Sequence, residues 1–335
     1  MGRPVGEAAT PPESAGMKIL FVTSTRIGDA VMSTGLLSHL ASAYPGARFT
    51  VACGPLPAPL FAAVPGVDRV IAMEKTPLGR HWLALWATTV TEFWDLVVDL
   101  RGSALGWLLP ARSRKVLRSP RDNRTHRARE LGALFGLQTP PAPHIWHTPE
   151  ALADAARLIS AGGAVLGLGP TANWAPKIWP ADRFAALADR LTAPDGILPG
   201  ARIAVFGGPG EAAVARPLLD ALPAERTIDL VGRLGLPGAA ACLARCAFYI
   251  GNDSGLMHLA AACGTPTLGL FGPSPPARYA PWGDHAAFVD TETPFESLVG
   301  AAGFDHRRSD NLMQSLSVER VEAAAMALWQ RVQAA

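Results

Sequence analysis

Short apolar runs and longer amphipathic stretches alternate along this chain, separated by turn residues. Lys18-Ile19-Leu20-Phe21-Val22 reads as a buried strand. Asp29 to Ala43 follows with apolar residues at Val31, Leu36, Leu37 and Leu40, a helical spacing. Arg48–Ala52, Val67–Ala72 and Asp95–Leu100 are further strands, and His81–Phe93, rich in Trp and Leu, is a helix. Pro140 to His147 (PPAPHIWH) has no periodicity and reads as a linker. The alternation then resumes. It gives a helix from Pro149 to about Ser160, a strand at Ala164–Leu168, a helix at Ala181–Leu191 and a strand at Arg202–Phe206. Next come a helix at Glu211–Leu222, a short strand near Ile228 and a helix at Gly238–Cys246. Phe248–Ile250, Leu256–Cys263 and Thr267–Phe271 read as strand, helix and strand, and Val318–Val332 is a closing helix. Strands alternating with helices through short loops predict an α/β protein with parallel, doubly wound sheets.

The 335 residues suit two domains of ordinary size. The linker divides them into a domain over 17–148 and a second over 149–316, with the closing helix in 317–335. Residues 1–16 are polar and rich in Pro, Gly and Ala. They read as a disordered leader without the apolar segment of a secretory signal. No run approaches the ~20 apolar residues of a membrane span, so the expected place of work is the cytoplasm or a membrane surface. The net charge of +2 predicts no bulk polyanion partner. The stretch from Arg112 to Arg129 interrupts the alternation with Arg112, Arg114, Lys115, Arg118, Arg121, Arg124, Arg127 and Arg129 against a lone Asp122. It is either a solvated face or a docking surface for an anionic lipid headgroup, where each cation is worth about 1 kcal/mol. Nucleic acid is the weaker partner, because no aromatic residues interleave with the arginines. Cys53, Cys242, Cys246 and Cys263 do not complete a zinc set and read as reduced, mostly core thiols.

Chemistry concentrates where strands end. After Phe248-Tyr249-Ile250, the turn Gly251-Asn252-Asp253-Ser254-Gly255 stops the strand, and Asp253 is a natural N-cap for the helix beyond. A glycine-flanked helix start at the carboxyl end of a parallel strand is an anion site; it is equally an ordinary capped turn. Lys177, in Asn173-Trp174-Ala175-Pro176-Lys177-Ile178-Trp179-Pro180, lies just past another strand's end. It is either solvated or a point charge for a diphosphate, and Trp179 either stacks on a base or joins the core. Phe206-Gly207-Gly208-Pro209-Gly210-Glu211 is a third such turn, with Glu211 in the first helical turn. His258, four residues after Ser254, reaches the same ligand or sits satisfied in the core. Asp29 follows the first strand and either caps its helix or acts as a base.

Other chemistries fit poorly. Gly167-Leu168-Gly169-Pro170-Thr171-Ala172 matches G-x-G-x-x-A, but Pro170, Pro176 and Pro180 fall where the dinucleotide-binding helix belongs. Gly251-x-x-Ser254-Gly255 is not a nucleophile elbow. The chain carries no H-E-x-x-H and no D-x-D, so no metal is expected.

Asp253-Ser254-Gly255-Leu256-Met257-His258, Gly264-Thr265-Pro266 and Phe271-Gly272-Pro273-Ser274 resemble the nucleotide-sugar site of the lipopolysaccharide heptosyltransferases (glycosyltransferase family 9). Lys177-Ile178-Trp179-Pro180 resembles that family's K-x-W-P element, and Arg26-Ile27-Gly28-Asp29 its R-x-G-D. The resemblance implies two Rossmann-like domains facing across a cleft, the GT-B architecture, with the closing helix returning toward the first domain. It implies inverting transfer of a heptose from ADP-heptose to the lipopolysaccharide inner core, with no tightly bound cofactor. Asp29 would be the general base. Lys177, Ser254, Gly255 and His258 would hold the diphosphate, and Asp253 and Glu211 the donor's sugar or ribose. Arg26, Arg118, Arg121 and Arg124 would face the acceptor or the anionic inner membrane surface. Another nucleotide sugar or acceptor on the same fold is the alternative, and a non-catalytic lipid-surface protein a more distant one. The segment Phe304 to Gln314 lacks the cysteines associated with many relatives there.

Overall fold

A computed structural model describes residues 16–118, 123–300, 304–305 and 311–335. Residues 1–15 of the expected leader, Arg121, and residues 306–310 of the interval 304–314 lie outside the described residues.

The amino-terminal half is β1 (Lys18–Val22), α1 (Ile27–Ala43), β2 (Arg48–Cys53), β3 (Val67–Ala72), α2 (Arg80–Thr89), β4 (Trp94–Asp99), α3 (Leu105–Leu108), β5 (Ala111–Val116) and α4 (Arg127–Ala133). Its strands form one parallel sheet in the order β3-β2-β1-β4-β5. The carboxyl-terminal half opens with α5 (Pro149–Leu158), β6 (Val165–Gly169), α6 (Ala181–Thr192), β7 (Arg202–Val205), α7 (Ala212–Ala221), β8 (Thr227–Asp229) and α8 (Leu236–Leu243). It continues through β9 (Phe248–Asn252), α9 (Gly255–Ala262), β10 (Thr267–Phe271), α10 (Pro276–Tyr279), β11 (Ala286–Asp290), α11 (Phe295–Val299) and α12 (Val318–Gln333). The second sheet is also parallel and runs β11-β10-β9-β6-β7-β8.

Both sheets are covered on two faces, which is why their central strands read as continuous apolar runs. Successive residues serve opposite cores. Ile19 and Phe21 pack on one side of the first sheet, and Leu20 and Val22 on the other. Leu166 and Leu168 pack with Ile203, Val205, Phe248 and Ile250, while Val165 faces Ala204, Phe206 and Tyr249. Val31 of α1 and Leu60 join this last cluster beside Met257 and Ala260, so apolar packing continues from one domain to the other.

The basic stretch is not an uninterrupted break. Ala111–Val116 (ARSRKV) is β5, paired with β4 at the edge of the first sheet. Backbone pairing forms it despite its charge, and cations on an edge strand blunt further pairing. The closing helix does not follow the expectation of a return to the first domain. Val321, Ala325 and Leu328 of α12 are buried in the carboxyl-terminal core, and the helix packs on α6, β10 and β11. Its single apolar stripe is matched to that sheet.

Candidate active site

In each sheet, consecutive connections leave the first strand in opposite directions, between β1 and β4 and between β6 and β9. The carboxyl ends of such strand pairs open a crevice for ligands. Beyond β6, a 3-10 turn at Ala175–Lys177 presents Lys177. Beyond β9 come Asp253, Ser254 and Gly255. The two loops meet where Lys177 Nζ donates to Asp253 Oδ2 at 2.5 Å, in a largely buried ion pair. Ser254 Oγ and Asn252 Nδ2 are buried without a partner in the protein, and so is Ser274 Oγ after β10. Buried polar atoms normally have partners. A set of orphaned donors beside a lysine and a helix N-terminus suits a polyanionic ligand.

The first domain supplies the opposing wall. Gly28 and Asp29 occupy the first turn of α1, which lies against α9. The contact is close enough to require glycine on both sides. A Cβ on Gly28 would stand 2.8 Å from His258 Cδ2, and one on Gly255 would stand 2.8 Å from Ile27 Cγ2. His258 is buried at this meeting point. Burial pushes its imidazolium below the ordinary range, Asp253 and Asp29 oppose that shift, and Lys177 reinforces it. One imidazole thus senses the acid of the first domain and the ion pair of the second. Arg127, from α4, brings Nε to 4.0 Å from Asp29 Oδ1. That Nε has no hydrogen-bond partner within the protein. Glu130 Oε2 accepts from Arg127 Nη1 at 2.6 Å and from Arg278 Nη2 at 2.9 Å.

Several sequence expectations change here. β9 continues through Gly251 and Asn252, which pair with Gly269 and Leu270, so the strand does not stop at Ile250. Ser254, not Asp253, is the N-cap of α9, and it makes no side-chain cap bond. Asp253 is diverted to Lys177. Arg26, whose side chain is exposed, is the N-cap of α1, and Asp29 sits inside the first turn. Trp179 is core: its indole donates to Leu316 O at 2.9 Å and its backbone N–H to Asn252 Oδ1 at 3.1 Å. Glu211 Oε2 accepts from Thr171 Oγ1 at 2.7 Å and from Gly208 N at 2.6 Å, which ties its loop to the end of β6.

The arginines of the basic stretch divide by role. Arg114 donates to the carbonyls of Gly106, Leu109 and Ala111, holding α3 to β5. Arg118 lies 4.7 Å over the ring of Trp107. Arg124 is exposed. Arg127 turns inward to Asp29, a placement that sequence reading hid inside a charge run; its acidic partner at i+3 was the available signal. Arg278 and Glu130 were also missed, since they are far apart in sequence. Among the described residues no group of His, Cys, Asp and Glu is arranged to hold a metal ion.

Two parallel Rossmann-like units opposed at their strand ends, with a buried cation and orphaned donors between them, define a GT-B glycosyltransferase. Comparison with known proteins agrees. The profile of glycosyltransferase family 9 (heptosyltransferase) matches residues 100–297. The chain is 27% identical to lipooligosaccharide heptosyltransferase 2 of Haemophilus influenzae over 313 residues, covering 82% of this chain and 88% of that protein. A family 9 glycosyltransferase structure from Veillonella parvula superposes with a TM-score of 0.76 at 22% identity, over 95% of this chain and 99% of the other. The E. coli ADP-heptose lipopolysaccharide heptosyltransferase II gives 0.70 at 22% identity, over 95% and 100%. The chain belongs to glycosyltransferase family 9, the heptosyltransferases, and is a glycosyltransferase.

Proposed function

We propose that this enzyme transfers a heptose from ADP-heptose to the inner core of lipopolysaccharide, with inversion, and that Asp29 is the general base. The observation that carries the reading is the junction of α1 and α9, where Asp29 meets a cation-bearing, donor-rich pocket across His258. Inversion needs the base and the departing diphosphate on opposite sides of the anomeric carbon. Asp29 takes the proton of the acceptor hydroxyl, whose oxygen bonds to that carbon. The bond from carbon to the β-phosphate oxygen breaks, and ADP leaves with the electron pair.

Lys177, the N–H groups at the start of α9 and Ser254 Oγ meet the growing phosphate charge. His258, kept neutral by burial, contributes a hydrogen bond and no charge. Asp253 holds Lys177 until phosphate replaces it as partner, and Glu211 fixes the loop beside the ribose. No helix among the described residues is long and apolar enough to cross a membrane. In this reading the lipid-linked acceptor is met at the cytoplasmic membrane face, and Arg26, Arg118 and Arg124 supply cations toward it.

The decisive experiment is Asp29→Asn, assayed with ADP-heptose and a lipopolysaccharide core acceptor. Asp29 is not the cap of α1, so the variant keeps its melting temperature. Its ADP affinity stays near normal and its rate falls by roughly 10²-fold or more. Turnover within a few-fold of the unmodified enzyme, with folding intact, removes Asp29 as base.

A further inference from the structure

Arg278 belongs to the carboxyl-terminal domain but is buried against the amino-terminal one. It stands in α10, shortly after β10 and its donor-side loop, and its side chain is 4% exposed. Its Nη2 donates to Glu130 Oε2, and its Nη1 to Thr125 O at 3.4 Å. The same Glu130 oxygen accepts from Arg127, whose Nε faces Asp29. The result is a line of alternating charge, Arg278–Glu130–Arg127–Asp29, running from the donor-side domain to the base. Glu130 is 7% exposed and Arg127 13%.

Around this line the segments 125–130 and 278–282 are stitched by further contacts. His126 Nε2 donates to Ala280 O at 2.9 Å while its Nδ1 accepts from Ala128 N at 3.1 Å. The His126 ring lies 4.4 Å from that of Trp282, and Arg129 stands over Trp282 at 5.4 Å. These are short-range, directional contacts, unlike the apolar packing that crosses at Val31 and Leu60. Buried ion pairs add little net stability compared with apolar packing, so a network of this kind is better explained by what it orients.

We propose that Glu130, held between Arg127 and Arg278, is a positioning residue that aims the Asp29 carboxylate when the two domains are seated on each other. It rests on the assignment of Asp29 as base. With Arg278 in place, Glu130 Oε2 is fixed between two guanidinium groups, and Arg127 is fixed in turn beside Asp29. When the domains part, Glu130 loses its partner across the seam and Arg127 gains freedom to swing. Proton abstraction is thereby tied to closure over the donor, which keeps water from being activated in the open enzyme.

The test measures kcat and KM for Arg278→Lys and Glu130→Gln, each in the unmodified enzyme and in Asp29→Asn. In the unmodified enzyme, each change should lower kcat by roughly 10- to 100-fold, the scale of a small misplacement of a reacting group, with ADP affinity by calorimetry within about two-fold. In Asp29→Asn, the same changes should alter the residual rate by less than about three-fold, because the group they aim is gone. Melting temperatures accompany every variant, and Arg278→Lys keeps the charge should Glu130→Gln fold poorly. Equal losses in both backgrounds, or no loss of kcat in the unmodified enzyme, overturn the positioning role while leaving Asp29 as base. Full turnover by Asp29→Asn alone overturns the base assignment and this role together.

Discussion

Lys177 and Asp253 illustrate how a residue's meaning depends on its partner. As a lone loop lysine, Lys177 had an ordinary solvated alternative. Paired with Asp253 beside the unpartnered Ser254 Oγ and Asn252 Nδ2, it is the cation that the proposed mechanism passes to the diphosphate. A charge-assisted contact is worth roughly 1.5–3 kcal/mol, so Lys177→Ala should weaken ADP binding by about 10- to 100-fold in calorimetry. Unchanged ADP affinity together with an unchanged transfer rate would take Lys177 out of the site. The variant also leaves the buried Asp253 without its counter-ion, which should clearly lower the melting temperature.

At the scale of elements, the seam between α4 and α10 should be sensitive to acid. Burial pushes the His126 imidazolium down to about 4, and His258, Arg129 and Arg278 push the same way against the Ala280 carbonyl. The unfolded chain takes up this proton near ~6.5. Between those values the unfolded state binds more protons, so stability falls as pH falls. Above that window the group contributes no pH dependence. Protonation also places a hydrogen on Nδ1, facing the Ala128 N–H that it caps. Melting curves from pH 7 to 4 should therefore drop less steeply for His126→Gln than for the unmodified protein; parallel curves would contradict this account. Another element-scale expectation concerns α3 and β5. Trp107 and Leu108 are exposed beside Arg118, combining apolar and cationic groups on one surface. Trp107→Ala with Arg118→Ser should weaken binding to vesicles containing anionic lipid, most clearly at low salt, because exposed charges are screened over ~8 Å at physiological ionic strength. ADP affinity should stay the same. Vesicle binding that ignores the double change would mark this surface as merely solvated.

For the whole molecule, the arrangement of two sheets decides what a ligand does. A nucleotide that binds only the folded carboxyl-terminal domain stabilises it by mass action, about 2.7 kcal/mol at 100 times its Kd. Thermal scans with ADP-, UDP- and GDP-sugars should therefore show a clear upward shift with the ADP-sugar and smaller ones with the others. An equal or larger response to UDP or GDP would redirect the donor assignment without disturbing the fold or the family. The same scans on Lys177→Ala should show a reduced shift, which separates loss of the phosphate contact from loss of the nucleoside pocket.

The sequence by itself determined the local order. Strand-length apolar runs such as Lys18–Val22 and Phe248–Ile250, and glycine-bearing turns behind them, depend on neighbours in the chain, and they point to two parallel α/β sheets. The placement of Asp29, Lys177 and Asp253-Ser254-Gly255 past strand ends was legible because each follows a strand at a turn whose residue types are restricted. Edge and short elements were less legible. β5 is formed by pairing with β4 in spite of a polar sequence, α3 and α10 carry too few residues to set a period, and β11 is a half-exposed edge strand. The tertiary structure alone decided which charges meet. Arg127 left the basic stretch for Asp29, Arg278 crossed to Glu130, and α12 settled on the second sheet. Periodicity reports which face of an element is buried, but not what it is buried against. Long-range ion pairs and domain contacts leave no repeating mark in the chain, so they become readable only when the two domains are packed together.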